Sequence, residues 1–382
     1  MSIQNVISNK MGVRLIGLRV LNRLHILFQK IYRFVYKNDL KVYFPYRDIL
    51  GTHPFFCRYY THPPVAFCIR SDAKLAHWLN MPEDKLYKGP FVIEPNDHPL
   101  SATGFSEPHS VIGNVDLASE IYLSKNCKKI LIQGDRQLSL IRRYLPEEII
   151  KKTEFVSLGA IAKRVNFNDR RLHQKPPIFL CLASEYKRKA VDLLIEAWLA
   201  SKARKRSQLI LACPNVPYDI EKIFSGCNIQ LIRKAPLSEG EKSRLYRMAQ
   251  VVIAPLHTDG GSNIIEAFEY GLPVITMRSQ RSFVNKSTGW EIDVPFYFYD
   301  DGYGHRWRTW EQFWKVLDDA KLNNEFDLTI KGMTGTIDEI AFNSEVLFDM
   351  SIAAHNLAKG ELSLENRNKK LALLYIEALR NR

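Results

Sequence analysis

The 382-residue sequence contains no C-x-x-C pair, no D-x-D and no internal repeat. Its six cysteines, Cys57, Cys68, Cys127, Cys181, Cys213 and Cys227, are scattered through apolar segments. That spacing argues against a zinc knuckle or disulfide framework and for a reducing compartment. No apolar stretch reaches the ~18 uninterrupted residues of a spanning helix. The amino terminus lacks both a clean apolar core and a small-residue cleavage site. A cytoplasmic protein is expected, with peripheral attachment to the cytoplasmic face of the inner membrane as its membrane-bound option. What is present is ordinary globular composition, 46% hydrophobic and 25% charged, which excludes a disordered, collagen-like or multispanning chain. At about 150 residues per domain, the length predicts two domains, each able to bury its own core.

The net charge of +13 is uneven. Residues 1–41 hold eight Lys and Arg against Asp39 alone, a local charge of +7. At about 100° per residue, Arg19, Arg23, Lys30, Arg33 and Lys37 share one sector of a wheel, and Leu24, Leu27, Phe28, Ile31, Phe34 and Val35 fill the opposite side. A helix over residues 13–37 with one basic stripe is expected. Such a helix suits an anionic membrane surface. Packing its apolar face on the core explains the same pattern. Nucleic acid is disfavoured, because interleaved aromatic platforms and a recognisable motif are missing.

Beyond this helix, residues 41–70 are aromatic and broken by Pro and Gly, reading as short extended segments. Strands are expected at 91–94, 129–133 and 154–157, with a helix over 136–145, giving an α/β domain over 41–165. The polar, proline-terminated stretch 166–177 reads as a linker. From Ile178 a β/α rhythm sets in: strands at 178–183, 208–213, 228–232, 251–255 and 273–276 alternate with helices at 190–200, 238–248 and 263–270. This pattern predicts a parallel sheet in a second Rossmann-like domain over 178–335. Two amphipathic helices, 337–358 and 364–380, close the chain within a segment 336–382.

The most informative segment is VVIAPLHTDGGSNIIEAFEYGLPVIT, residues 251–276. A strand runs into a loop with Gly260, Gly261 and Ser262, and a helix opens near Asn263. Free N–H groups at a helix start attract anions, and adjacent glycines allow a phosphate close to the backbone. Glu266 lies four residues after Ser262 on the same face, where a carboxylate can accept from both hydroxyls of a ribose. A second segment, ASEYKRKAVD at residues 183–192, also follows a strand and precedes a helix. Its cations would neutralise a departing diphosphate; taken alone, it is equally a solvated basic loop.

At these residues the chain resembles nucleotide-sugar glycosyltransferases of the GT-B class, in particular the large retaining family that includes lipopolysaccharide and capsule enzymes. LASEYKRKAVDLLIEAW is similar to their phosphate-binding strand-loop-helix, and DGGSNIIEAFEYGLPVI to their E-x7-E segment with its G-x-P-V-I turn. GELSLENRNKKLALLYIEAL resembles their closing helix. The resemblance implies two Rossmann-like domains facing each other across a cleft, with carboxyl-terminal helices crossing back to the first.

It assigns Lys189 to the donor diphosphate, with Arg188 as a second cation, and Glu266 to the ribose. Ser262 and Asn263 match the helix start. Thr258, beside Asp259, stands where the first glutamate belongs, and Ser184 replaces an arginine often found near the start of the basic loop. FVIEPNDHP resembles the histidine-containing loop of the acceptor side, making Asp97 and His98 candidates, although an Asn-Asp turn fits as well. Gly302 and Gly304 read as a turn.

The expected activity is transfer of a sugar from a nucleotide-diphosphate sugar to a glycan or lipid-linked acceptor, in bacterial surface polysaccharide or lipopolysaccharide synthesis. The resemblance implies retention. With no D-x-D, departure assisted by Arg188 and Lys189 is expected to need neither metal nor cofactor. A catalytically silent scaffold and a nucleotide-sugar epimerase or phosphorylase are the competing readings. A nicotinamide dehydrogenase is disfavoured because no G-x-G-x-x-G follows an expected strand.

Overall fold

A computed structural model describes residues 41–43, 66–68, 74–79, 88–95, 100, 115–167, 176–234, 236–257, 261–278, 283–296 and 309–380. The basic helix expected within residues 1–40 and the Gly302 to Gly304 turn lie outside them.

Two parallel six-stranded sheets organise the described residues. The first consists of β1 (Lys41–Tyr43), β2 (Ala66–Cys68), β3 (Leu75–Leu79), β4 (Phe91–Glu94), β5 (Cys127–Ile132) and β6 (Thr153–Phe155), in the order β2-β1-β3-β4-β5-β6. The second holds β7 (Ile178–Leu182), β8 (Gln208–Ala212), β9 (Ile229–Ile232), β10 (Val251–Ala254), β11 (Val274–Met277) and β12 (Gly289–Ile292), ordered β12-β11-β10-β7-β8-β9. Strands covered on both faces must be apolar at nearly every position rather than alternate. β4, β10 and β11 are buried throughout, and Glu94 is their single charged side chain.

Among the described residues, the helices of eight or more residues are α1 (Val115–Leu123), α2 (Asp135–Tyr144), α3 (Val191–Ala200), α4 (Glu239–Met248), α5 (Ser262–Glu269), α6 (Trp310–Leu322), α7 (Asp327–Phe342), α8 (Val346–Lys359) and α9 (Leu364–Arg380). Capping boxes fix the starts of α4, through Ser238 and Glu241, and α6, through Thr309 and Gln312. α9 lies against β3, β4 and β5, so the closing helix does cross to the first sheet. Its Leu371 and Leu374 join Val92, Leu131 and the second domain's Ile264 and Phe268 in one core.

Two differences from the sequence reading have physical causes. The helix expected over 337–358 is two helices, because Asn343 leaves helical geometry at φ −134°, ψ 83° and α8 restarts at Val346. Asn and Ser at that break offer the backbone local hydrogen bonds in place of helical ones. The division expected between 335 and 336 therefore falls inside α7, which packs on α3. β3, β12, α1 and α6 went unrecognised. LAHWL carries no strong β-former pattern and is a strand because β1 and β4 pair with it on either side.

The Gly271 turn, by contrast, behaves as its motif suggests. Gly271 has φ +61°, and a Cβ there would sit 3.1 Å from both the Phe167 ring and the Ser351 carbonyl. Gly271→Ala should therefore destabilise the protein by about 1–3 kcal/mol, through left-handed strain and crowding together. Chemical denaturation measures it, and an unchanged midpoint would show that the turn relaxes freely.

Candidate functional site

In the second sheet the strand order reverses at β7, with β8 and β9 on one side and β10 to β12 on the other. The crevice beyond the carboxyl ends of β7 and β10 is therefore the switch point at which open parallel sheets receive ligands. Both segments singled out in the sequence leave from it. They also touch: Asn263 Nδ2, in the first turn of α5, donates to the carbonyl of Leu182, the last residue of β7, at 2.7 Å. The glycine-loop helix is thereby tied to the strand that launches the basic loop.

Within that loop the cations have different surroundings. Ser184 is exposed at its start. Lys187 spans to Asp318 on α6 at 2.6 Å, and Arg188 pairs with Glu185 at 2.8 Å. Lys189 is only 8% exposed. Burial raises the Cys181 thiol pKa against the pull of the Lys189 charge, which marks the ammonium's proximity to the end of β7. Arg188, expected as the companion cation, is thus engaged by a neighbouring carboxylate. Ala190 then opens α3 in the left-handed region, φ 48° and ψ 34°, where an L-residue is strained. Neither α3 nor α5 has a side-chain cap. The N-cap residues Ala190 and Gly261 thus offer no side-chain acceptor of their own to the first turn, and the Val191 amide donates to the Tyr186 carbonyl instead.

Gly261 is buried at the N-cap of α5, and Ser262 and Asn263 form the helix's first residues. Glu266 is buried one turn later, where its Oε2 accepts from the Tyr246 hydroxyl at 2.9 Å and its Oε1 from Lys242 at 3.3 Å. Burial, then the Glu266 charge, raises the Tyr246 pKa, so the phenol remains a protonated donor. These partners fix the orientation of the Glu266 carboxylate beside α4. His257 precedes the glycine loop, its ring 5.3 Å from that of Phe326. Desolvation lowers its pKa to about 4, so it is neutral at pH 7. Thr258, Asp259 and Gly260 lie outside the described residues, as do Asp97 and His98.

A polar cluster unnoticed in the sequence closes the first sheet. Glu94 is fully buried; its Oε2 accepts from Arg367 of α9 at 2.7 Å and its Oε1 from Gln133 at 2.8 Å. His77 Nε2 lies 3.3 Å from Glu94, and its Nδ1 meets the Tyr375 hydroxyl at 2.6 Å. Arg367 also donates to the Ser157 carbonyl. Gln137 donates to the Pro95 carbonyl, just past β4, at 3.3 Å. The available signal was positional: Glu94 ends an otherwise apolar strand, and Arg367 shares the inward stripe of Leu364, Leu371 and Leu374. Glu269 likewise ties the domains, since its carboxylate accepts from the Ile161 amide at 2.8 Å.

Residues 176–294 match the family described as Glycosyl transferases group 1. No curated protein matches the chain. Among solved structures it is similar to the pneumococcal O-GlcNAc transferase GtfA in complex with UDP and GlcNAc, at 14% identity and TM-score 0.56, over 80% of this chain and 57% of that one. It is also similar to sucrose-phosphate synthase from Thermosynechococcus elongatus, at 13% identity and TM-score 0.55, over 81% and 75% of the two chains. A glycosyltransferase from Rickettsia africae matches at 12% identity and TM-score 0.54, over 90% of this chain and 100% of that one. The chain spans little more than half the length of GtfA. These likenesses establish the fold: two Rossmann-like domains in the GT-B arrangement.

Proposed function

We propose that this chain, whose residues 176–294 form a group 1 glycosyltransferase domain, moves a sugar from a nucleotide-diphosphate sugar to a glycan or lipid-linked acceptor. The observation that carries the reading is the Asn263 to Leu182 hydrogen bond, which joins the glycine-loop helix to the strand before Lys189 at the sheet's switch point. In this reading the diphosphate sits at the uncapped starts of α3 and α5 beside Lys189. The ribose is held by Glu266, with Ser184, Thr258, Asp259 and Gly260 around the donor.

The chemistry follows from what the leaving group needs. As the bond from the sugar's anomeric carbon to the phosphate oxygen breaks, negative charge grows on the diphosphate, and a fixed ammonium and helix dipoles stabilise it there. The acceptor oxygen bonds to the anomeric carbon from the face the diphosphate leaves, and its proton passes to the departing phosphate oxygen. Configuration is thereby retained, and Lys189 with Arg188 supplies the positive charge without a metal or cofactor. Asp97 and His98 belong to the acceptor side. Surface polysaccharide or lipopolysaccharide synthesis is the setting we infer.

The test is a thermal-shift panel of uridine, guanosine and adenosine diphosphates and their sugars, since a ligand that binds the native state raises its melting point. A rise with one base is expected; no response to any nucleotide would remove this reading. A rise with nucleotide but no transfer to any acceptor would favour a silent scaffold.

No helix among the described residues is long and apolar enough to cross a membrane. The basic amino-terminal segment is our proposed contact with an anionic membrane surface. Each basic residue near such a surface contributes about 1 kcal/mol. Deleting residues 1–37 should release the protein from vesicles of anionic lipid in a sedimentation assay; retention by the folded truncation would assign binding elsewhere.

A further inference from the structure

Glu266 belongs to α5, but two groups that hold its carboxylate come from α4. Glu239, Lys242 and Tyr246 stand at i, i+3 and i+7 and so share one face of that helix. Tyr246 is buried, and its hydroxyl donates to Oε2 at 2.9 Å. Lys242, whose side chain is 22% exposed, reaches Oε1 at 3.3 Å and Glu239 at 3.4 Å. The two carboxylate oxygens are therefore held differently, Oε2 from the interior and Oε1 from the partly exposed side.

The clamp is itself anchored. Tyr246 stacks on Tyr270, the residue that ends α5, with ring centroids 5.0 Å and planes 15° apart. Leu245 and Tyr246 share a core with Ile265 and Phe268 of α5. At the other end, the capping box of Ser238 and Glu241 fixes where α4 begins, and Lys234 pairs with Glu241 at 2.6 Å. A glutamate on a helix has several staggered rotamers, and a donor fixed at the buried oxygen selects among them. A carboxylate ordered in advance spares the ligand that ordering cost. Removing the support loosens a site even though the residue that touches the ligand is unchanged.

We propose that Tyr246 and Lys242 are positioning residues: from α4 they hold the Glu266 carboxylate in the rotamer that accepts from the ribose hydroxyls, and so set a preference for ribonucleotides. The proposal rests on the ribose role given to Glu266 in the transfer reading.

Calorimetric titration of the full chain with uridine, guanosine and adenosine diphosphates, and with the 2′,3′-dideoxy form of each, tests it. For the base it prefers, the wild type should bind the ribonucleotide about tenfold or more tightly than the dideoxy form. Tyr246→Phe keeps the ring stack and removes only the donor, while Lys242→Met keeps an unbranched apolar stem at a partly exposed position. Each should shrink the preference by about three- to tenfold, the size of one hydrogen bond, by weakening the ribonucleotide alone. A purely structural role would lower the melting point and leave this ratio at its wild-type value. An unchanged ratio in either variant removes that residue's role. Equal weakening of both ligands does the same, and for Lys242 would mean contact with the diphosphate itself. If the wild type binds both forms equally, the ribose role of Glu266 falls first, so the two failures are distinguishable.

Discussion

Arg367→Ala should destabilise the protein by about 3–5 kcal/mol at pH 7, the loss expected when one partner of a buried ion pair is removed and the other charge stays behind. The guanidinium is 3% exposed and Glu94 is fully buried. Burial alone would raise the Glu94 pKa, but the Arg367 charge and the His77 contact outweigh it and bring the group to about 2. The native value is thus below the unfolded one, and this stabilisation is complete above about pH 4.5 and disappears as pH falls toward 2. Burial lowers the His77 pKa below 6.5. The unfolded chain therefore takes up that proton first, and this contribution also weakens as pH drops below about 6.5.

Without Arg367, Glu94 is left to desolvation and protonates more readily, so the variant's deficit should shrink on acidification. Urea unfolding at pH 7 and pH 4 tests both statements. Removing both charges, as in Glu94→Gln with Arg367→Met, should cost less than Arg367→Ala, because no charge is stranded. A pH 7 loss below 1 kcal/mol for Arg367→Ala would mean that water or a neighbouring group takes over the pairing.

The second large effect is on nucleotide binding. Hydrogen bonds to charged groups contribute about 1.5–3 kcal/mol, which corresponds to roughly 10- to 150-fold in dissociation constant. Lys189→Ala and Glu266→Ala are each expected to weaken nucleoside-diphosphate binding by that amount. Arg188→Ala should lose less than tenfold, since its guanidinium is already engaged by Glu185 in a partly exposed pair. Glu266→Ala also strips the buried Tyr246 hydroxyl of an acceptor, a stability loss of about 1–3 kcal/mol. Glu266→Gln keeps an oxygen for Tyr246 while removing the negative charge, and so separates folding from ribose recognition. Calorimetric titration reads all four variants, and wild-type affinity in both Lys189→Ala and Glu266→Ala would dissolve the assignment.

Much of the second domain was legible because its signals are local. Short apolar runs such as VVIA and VITM, each bounded by a proline, read as strands covered on both faces, and the adjacent glycines before Ser262 mark a helix start. The first domain was harder. LAHWL has no period that separates strand from helix, and Val115–Leu123, nine residues long, is too short to show a decisive helical period. Nor could spacing show that Arg188 spends its charge on Glu185, or that Glu266 is gripped by a tyrosine twenty positions earlier.

The order of apolar runs, glycines and cations along the chain was enough to determine a parallel α/β architecture and to single out the two loops around Lys189 and Glu266, because each signal lies within one strand-loop-helix unit. Only the tertiary structure decided which strands are neighbours. That choice places both loops at one switch point, inserts Arg367 beside a glutamate 273 residues away and leaves the carbonyl of Gln133 without a partner among the described residues. Pairings across such distances depend on the burial of side chains from separate units, and no local propensity encodes them.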